Sequence, residues 1–181
     1  MFCSEKDFKK LFTNGNIVIE KQTEEDIRTS SVDLRVSNIV SVLSPSDITI
    51  NAESSFEDLK QTYKEVDITD NYYTLKPKES VIASTNKITL NGDYVGIVVN
   101  RNSLIRLGVH ISVSIINAGY SGILPLVVYN NSGFNFQFKA GDKLCQLIVG
   151  ETGKIENPYY TRLDSKYQNC NTLISKYNQD R

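Results

Sequence analysis

Arg101 and Arg106 flank a short polar stretch that directly follows an apolar run typical of a buried strand. Two guanidinium groups, the Ser103 hydroxyl and backbone N–H groups could converge there on a polyphosphate. The same residues also fit a solvated helical turn in which Leu104 and Leu107 pack inward. Phosphate binding and local packing are therefore both open interpretations of this segment.

Three further segments combine polar side chains with tight turns. Residues 116–122 predict a glycine-rich hairpin whose backbone could bind a nucleobase while the Tyr120 ring packs against a sugar. A plain turn with a packed tyrosine explains that segment equally well. Residues 140–149 predict a tight turn feeding a strand with one inward or ligand-facing glutamine, Gln146. Residues 30–35 put a carboxylate beside an arginine at a strand start, where a local ion pair is the simplest interpretation.

A short capped helix and many short strands are predicted to position these segments. Ser4 and Asp7 form a capping signal, and apolar residues recur at helical spacing until Asn14 and Gly15. From residue 32 onward, β-rich runs alternate with turn signals. The runs are 32–42, 72–75, 80–90, 94–99, 109–116, 123–129, 134–138 and 144–149. Many short strands with few helices predict a β-sandwich, jelly roll or barrel.

Size and charge restrict the possible functions. The chain has 181 residues, which fits a single domain, 1–181, that can bury a core without disulfides or metals. A net charge of −1 argues against a protein that holds long nucleic acid by neutralising its phosphates, so we expect small nucleotides instead. No secretory signal and no run of about 20 apolar residues is recognisable. We therefore expect a cytoplasmic protein without membrane contact.

Two segments lack a clear apolar pattern. Residues 51–71 are acidic and polar, and we interpret them as a surface excursion. Residues 159–181 form a polar tail rich in Asn, Lys and Tyr, a composition typical of a disordered terminus. The three cysteines, Cys3, Cys145 and Cys170, are too widely spaced for a zinc or disulfide motif, so we expect reduced thiols.

The order and spacing of the four segments resemble the dCTP deaminase and trimeric dUTPase superfamily. The N-terminal helix, residues 30–35 and 101–108, and the tail segment 165–168 look like the deaminase branch, while residues 141–148 are closer to the dUTPase version. The resemblance implies a mainly β, distorted jelly-roll subunit of the dUTPase-like β-clip type with a short N-terminal helix. It also implies a homotrimer with three pockets at subunit interfaces, each binding a deoxynucleoside triphosphate, dUTP or dCTP, with Mg²⁺.

The resemblance also implies roles for individual residues. Tyr120 would exclude a ribose 2′-hydroxyl, and Lys166, Tyr167 and Gln168 would belong to a C-terminal lid that folds over the ligand. Residues facing the phosphates would be Arg101, Ser103, Arg106 and Gln146, with Asn102 where both branches use a phosphate-holding serine. The metal would have no direct protein ligand, because Mg²⁺ would be bound through the triphosphate.

Both catalytic carboxylates of the superfamily are missing at the matching positions. Asn117 stands where dUTPases have the aspartate that activates water, and Val127 stands where deaminases have the proton-shuttling glutamate. An amide cannot accept that proton, and loss of a positioned general base costs about 10²–10⁴-fold in rate. A shifted acid such as Glu151 or Asp33 would have to serve a different reaction.

Three hypotheses for function follow. The first is a nucleotide-binding homotrimer that is catalytically silent or impaired and has a binding or regulatory role, with a protein partner that the sequence does not identify. The second is an active nucleotide hydrolase, either a dCTP deaminase or a dUTP diphosphatase, in pyrimidine deoxynucleotide metabolism. The third is a structural jelly-roll protein without nucleotide. Asn117 and Val127 favour the first over the second. The residues that are retained favour both over the third; they are Arg101, Arg106, Tyr120 and Gln146.

Overall fold

The computed structural model describes residues 1–44 and 47–179. Within them the α-helices are α1 (Glu5–Thr13), α2 (Phe56–Gln61) and α3 (Asn102–Arg106). The strands are β1 (Ile17–Ile19), β2 (Val32–Leu43), β3 (Tyr63–Asp67), β4 (Tyr73–Leu75), β5 (Ser80–Thr85), β6 (Ile88–Leu90), β7 (Tyr94–Asn100), β8 (Val109–Ile111), β9 (Ser114–Ile116), β10 (Ser121–Gly122), β11 (Pro125–Asn130), β12 (Phe136–Phe138) and β13 (Lys143–Glu151).

The N-terminal helix forms as its capping signal predicts. The Ser4 hydroxyl accepts a hydrogen bond from the Asp7 backbone N–H at 3.4 Å, and the Asp7 carboxylate accepts one from the Ser4 backbone N–H at 2.9 Å. Capping of this kind typically stabilises a protein by about 1 kcal/mol. Phe8 and Leu11 are buried on the inner face of α1. Gly15 follows at φ 71°, a left-handed conformation that ends the helix and suits glycine.

The largest sheet has eight antiparallel strands and is curled. Its order is β8, β11, β5, β2, β13, β7 and β9, with β3 paired to β2 off this path. The long strand β2 pairs with β13 at its start and with β5 and β3 farther on, after an irregularity between Val36 and Val40. Such irregularities bend a strand and increase its twist. Together with the small sheets β1-β6-β10 and β4-β12, this confirms the mainly β, dUTPase-like jelly-roll prediction.

The apolar core is built from α1 and the inward faces of the strands. Phe8, Leu34 and Leu147 are each at most 1% exposed. Strand β11 alternates between buried and exposed positions, because successive side chains in a strand point to opposite faces. Leu126 is therefore buried in the core, whereas Val127 lies on the opposite face and is 42% exposed.

The structure divides two predicted runs and adds elements to the polar excursion. Residues 80–90 form the separate strands β5 and β6, and residues 109–116 form β8 and β9. The excursion 51–71 contains α2 and β3, and β3 pairs with the second half of β2. Three of the five side chains of β3 are exposed, so this strand has no apolar pattern for sequence analysis to detect. No helix in the described part of the chain is long and apolar enough to cross a membrane.

Candidate functional site

Asp33, near the start of β2, is fully buried and surrounded by cations. It lies opposite Gln146 of β13 in the strand register, and the Gln146 Nε2 donates a hydrogen bond to Asp33 Oδ1 at 3.0 Å. Arg28 Nη2 lies 2.5 Å from Asp33 Oδ2, and Arg101 Nε lies 3.5 Å from Oδ1. The carboxylate therefore links β2, β13 and the segment that enters α3.

A second buried carboxylate, Asp26, forms the other half of this network. Arg35 donates two hydrogen bonds to it, at 3.0 and 2.7 Å, and Lys143 Nζ lies 2.5 Å away. Burial alone would raise the pKa of Asp26, but hydrogen bonds from Arg35, Lys143 and the Thr23 backbone lower it to about 2. Asp26 is therefore ionised throughout the physiological pH range.

The network carries more positive than negative charge. Arg28, Arg35, Arg101 and Lys143 surround the two carboxylates, which leaves a surplus of two positive charges. Three of these cations also line an open groove of about 480 Å³, which we call the cationic groove. Its lining residues are Arg35, Arg101, Phe136, Gln137, Phe138, Gly141, Asp142, Lys143 and Leu144. Asp142 adds one negative charge to the lining, so the groove and the network together keep a net charge of +1. Such a surface attracts a polyanion such as a polyphosphate.

Helix α3 continues from Arg101 and presents polar side chains to solvent. Asn102, Ser103 and Arg106 are exposed. Leu104 is buried, but Leu107 is 45% exposed. The packing alternative for this segment is therefore wrong for one of its two leucines, because only Leu104 reaches the core. The polar side chains of α3 remain accessible to a ligand.

A second cavity, of about 410 Å³, lies on another part of the surface, and we call it the apolar recess. Its walls come mainly from β9, the following turn, β11 and the tail, and it includes Asn117, Tyr120 and Val127. Tyr120 is 6% exposed, and its hydroxyl donates a hydrogen bond to the Ile123 carbonyl at 2.7 Å. Burial raises the pKa of Tyr120 far above its usual value, so the ring stays neutral.

The described part of the recess wall contains no carboxylate, histidine, lysine or arginine. Val127 and Ile115 contribute exposed aliphatic side chains, at 42% and 66% exposure. Asn117, at the end of β9, contributes an amide that can donate or accept a hydrogen bond but cannot take up a proton at neutral pH. This wall can therefore bind an apolar or aromatic group, but it supplies no general base.

The tail packs closely against the turn between β9 and β10. Gln168 Oε1 accepts a hydrogen bond from the Ser121 backbone N–H at 3.0 Å, and its Nε2 donates to the Gly119 carbonyl at 3.3 Å. Gly119 has φ 84°, and a Cβ atom there would lie 2.9 Å from Pro158 Cβ. Only glycine allows this approach without displacement. These specific contacts differ from the disordered terminus that the tail composition indicates.

Comparison with known proteins places this architecture in a family. A family model described as dCTP deaminase-like matches residues 2–152. The chain belongs to the dCTP deaminase-like family. A protein named dCTP deaminase from Acidianus ambivalens is 31% identical over 172 residues, which cover 93% of this chain and 92% of that protein. A dCTP deaminase from Pseudoalteromonas translucida is 31% identical over 198 residues, with full coverage of both chains.

A solved structure supports the fold independently. The crystal structure of 2′-deoxycytidine 5′-triphosphate deaminase from Agrobacterium tumefaciens has a TM-score of 0.66 and 19% sequence identity to this chain. The match covers 82% of this chain and 46% of that chain. At this identity the likeness concerns the fold alone.

In this dCTP deaminase-like chain, the sequence-predicted site residues fall into separate groups. Arg101 lines the cationic groove and Gln146 joins the network beneath it, whereas Asn117, Tyr120 and Val127 line the apolar recess. Among the described residues, the groove and the recess share no lining residue. Of the tail residues, Tyr167 lines the recess, Gln168 bonds to the adjacent turn and Lys166 packs against Tyr167. One chain thus does not bring all these residues into one pocket.

Sequence analysis missed several residues of the charged network and most of the recess wall. Asp26 and Arg28 precede the segment 30–35, and Lys143 begins β13, three residues before Gln146. Thr23 caps a 3₁₀ turn together with Asp26, so a capping signal was present in the sequence, but it does not reveal the ion pairs. Tyr63 of β3 lines the recess, although its segment has no apolar pattern.

The two shifted acids considered from the sequence lie outside the recess. Asp33 is buried within its cation network. Glu151 ends β13 and lines a different cavity near the N-terminus, together with Met1 and Tyr94. Neither carboxylate therefore lies beside Asn117. The carboxylate that lines a cavity together with Asn117, a separate one of about 310 Å³, is Asp164, and it is paired with Arg162 at 2.7 Å.

Proposed function

We propose that this dCTP deaminase-like chain binds a deoxynucleoside triphosphate, dUTP or dCTP, at the interfaces of a homotrimer. We further propose that its catalysis is silent or strongly impaired, so that it serves a binding or regulatory role. One observation carries the proposal: the cationic groove and the network beneath it together keep a net positive charge, whereas the described wall of the apolar recess has no carboxylate and no histidine.

Phosphate binding rests on the groove and on α3. Arg101, Arg35 and Lys143 have side chains that are 28%, 25% and 21% exposed, so each is held by a carboxylate and still reaches solvent. Arg106 and Ser103 are exposed on α3 beside them and add a guanidinium and a hydroxyl group. Guanidinium groups bind phosphate oxygens in pairs, which suits a triphosphate. Relatives named dCTP deaminase support a nucleotide of this class.

Impaired catalysis rests on the recess. Hydrolysis at the α-phosphate requires a group that removes a proton from water, and the Asn117 amide can hold the water but cannot remove the proton. Deamination requires a proton carrier beside the base, where the exposed side chains of Val127 and Ile115 have none. We therefore expect slow residual hydrolysis of dUTP and no efficient deamination of dCTP.

The homotrimer rests on the separation of the groove from the recess. A nucleotide has its base at one end and its phosphates at the other, so the recess of one subunit and the groove of its neighbour could complete one site. Val113 and Ile115, beside and within β9, are 68% and 66% exposed, which leaves apolar surface for a neighbour to cover. Light scattering should give a trimeric mass, and a monomer at micromolar concentration would contradict this arrangement.

Magnesium would arrive with the triphosphate in this proposal. The two buried carboxylates beneath the groove, Asp26 and Asp33, are already bonded to arginine and lysine, so they do not fit as metal ligands. Asp142, which lines the groove, accepts a hydrogen bond from the Lys139 backbone N–H at 2.9 Å. Mg²⁺ bound to the phosphates would neutralise part of their charge. The chain's own contribution is to hold the phosphates through its cationic side chains.

Calorimetric titration with deoxynucleoside triphosphates and Mg²⁺ tests the binding half of the proposal. We expect the wild type to bind dUTP or dCTP. The affinity should fall at least about 10-fold in Arg106→Gln, because a charge-assisted phosphate contact is lost. Lys87→Gln removes an exposed cation outside both cavities and should leave the affinity unchanged. An Arg106→Gln variant with wild-type affinity for the nucleotide that binds would remove α3 from the phosphate site.

An active enzyme is the second candidate, and the relatives favour it. Proteins named dCTP deaminase are 31% identical to this chain over nearly its whole length. Product analysis separates the candidates, since deamination of dCTP releases ammonia and hydrolysis of dUTP releases pyrophosphate. Release of either at ordinary enzyme rates, of the order of 1 s⁻¹ or faster, would favour the enzyme.

A further inference from the structure

Two lysine side chains of the tail, those of Lys166 and Lys176, lie against the same tyrosine ring. Lys166 Nζ donates a hydrogen bond to the Lys176 carbonyl at 3.3 Å, and Lys176 Nζ donates one in return to the Lys166 carbonyl. Both ammonium groups also lie over the Tyr167 ring, 5.4 and 5.7 Å from its centroid. Each cation thus combines a carbonyl contact with a cation–π contact, which ties residue 166 to residue 176.

The polar atoms of Tyr167 are part of the same arrangement. Its hydroxyl accepts a hydrogen bond from the Lys176 backbone N–H at 3.0 Å, and its own backbone N–H donates to the Tyr159 hydroxyl at 3.3 Å. Lys166, Tyr167 and Lys176 therefore close a loop of the tail on itself. We call these three residues the tail latch.

The loop that the latch closes lies against the apolar recess. Residues 172–175 line the recess, and Leu173 is only 7% exposed. One end of the loop is anchored where the Ile123 backbone N–H donates to the Cys170 carbonyl at 3.0 Å. The other end is anchored where the Ser175 backbone N–H donates to the Tyr63 hydroxyl at 3.3 Å. The loop therefore connects the segment between β10 and β11 with β3 across the recess.

We propose that the tail latch holds the chain's own tail closed over the apolar recess, and that a bound nucleotide has to open it. The second half rests on the proposed function, together with the lid that the resemblance implies, in which Lys166 and Tyr167 fold over the ligand. A lid over a ligand at the groove would carry Lys166 and Tyr167 away from the recess, and this movement would break their present contacts with residue 176. Latch closure and nucleotide binding therefore compete, and Lys176 controls the balance from outside the expected binding residues.

Hydrogen exchange of the full-length protein without nucleotide tests the latch itself. Lys176→Met removes both the charge and the donor while keeping an unbranched side chain of similar length. We expect the Ile123 and Asn169 amides, which bond across the tail contact, to exchange about 5- to 30-fold faster than in wild type. Exchange of the Leu147 amide in the core should stay unchanged, which shows that the fold is intact. Lys176→Arg, which keeps the charge, should stay within about threefold of wild type.

Lys154→Met is the matched control, because Lys154 is exposed and precedes the tail. It should leave the exchange of Ile123 and Asn169 at the wild-type rate. Equal rates for these amides in wild type and Lys176→Met would overturn the latch, and so would an equal acceleration in Lys154→Met. Neither outcome depends on whether any nucleotide binds.

Titration with a non-hydrolysable dUTP analogue and Mg²⁺ tests the competition. Lys176→Met should bind the analogue more tightly than wild type does. The gain in affinity should not exceed the factor by which its amide exchange accelerates. If amide exchange accelerates in Lys176→Met but its affinity for the analogue equals that of wild type, latch closure and nucleotide binding do not compete. If neither wild type nor Lys176→Met binds dUTP, dCTP or the analogue, the proposed nucleotide function is wrong. In that case only the exchange result tests the latch, and a latch that it supports would be a cover of the recess that no nucleotide opens.

Discussion

The cationic groove and the apolar recess differ in what their side chains do for the fold. In the groove, the buried carboxylates of Asp26 and Asp33 join β2, β13 and the start of α3, so the charges also hold the sheet together. In the recess, Val127 and Ile115 are exposed, and their replacement disturbs little of the core. Catalytic groups can therefore be lost from the recess at small cost, whereas Arg101 stays necessary for stability even without a ligand. Exposed Arg106 is the better test of phosphate binding.

The largest effect expected is on stability, from Asp33→Asn in the groove network. The substitution removes the charge that Arg28 and Arg101 share. Because these arginines remain 46% and 28% exposed, we expect a loss of about 1.5–3 kcal/mol, the range for hydrogen bonds to charged groups. Chemical denaturation measures this free energy of unfolding. Asp70→Asn, at an exposed position, should change it by less than about 0.5 kcal/mol. If Asp33→Asn lowers the free energy of unfolding by less than about 1 kcal/mol, the charges of the groove network do not stabilise the sheet.

Asn117→Asp should give the largest gain in activity. The two side chains are nearly isosteric, so the change supplies a proton acceptor at an exposed position of the recess without disturbing the packing. We expect the rate of dUTP hydrolysis, followed by pyrophosphate release, to rise about 10²-fold, which is part of the effect of a positioned general base. Asn117→Ala removes the amide without adding an acceptor and should give no rise. Equal rates for all three proteins would exclude Asn117 from the water-activating position.

The pH dependence of stability should distinguish the groove from the recess. The Asp26 pKa falls from 3.8 to about 2 on folding, so ionised Asp26 stabilises the protein fully above about pH 4. This stabilisation is lost as the pH falls from about 4 to about 2 and amounts to about 2 kcal/mol. The difference in unfolding free energy between wild type and Asp26→Asn should shrink by that amount over this range. A difference that is constant with pH would contradict the lowered pKa.

The smallest effect is expected from Val127→Glu in the recess. A glutamate there lies beside aliphatic side chains, with no cation on the described recess wall to stabilise its charge. We expect ammonia release from dCTP to rise by no more than about 10-fold, because the group is poorly positioned for proton transfer. Val127→Gln, which adds length without a carboxylate, is the control. A rise of about 10³-fold or more would mean that the rest of a deaminase site is intact.

The elements that sequence analysis predicted well depend on local signals. Ser4 and Asp7 are three residues apart and cap α1 by direct hydrogen bonds, so the helix is visible in the sequence. The strand β11 was also found, because its apolar residues form a short continuous run bounded by turns. Strand β3 was missed because its polar side chains face solvent, and its pairing with β2 is a tertiary contact.

The candidate site could be predicted only in part, because its contacts are long-range. Asp33 and Gln146 are 113 positions apart, and their hydrogen bond follows from the pairing of β2 with β13. The contact between Ser175 and Tyr63 spans 112 positions and follows from the folding of the tail over the recess. The four segments pointed to the correct family. Their amino-acid sequence does not reveal that the groove and the recess of one chain are separate.

Binding and turnover measured on the same wild-type sample test the central claim most directly. Calorimetry with dUTP, dCTP and Mg²⁺ gives the affinity, and chromatography of the same mixture gives the amounts of dUMP, dUTP and dCTP over time. The charged groove, together with a separate recess whose described wall has no acid, predicts micromolar or tighter binding with turnover at least about 10²-fold below 1 s⁻¹. Turnover of either nucleotide at about 1 s⁻¹ or faster would contradict the account, since another residue would then supply the missing proton transfer.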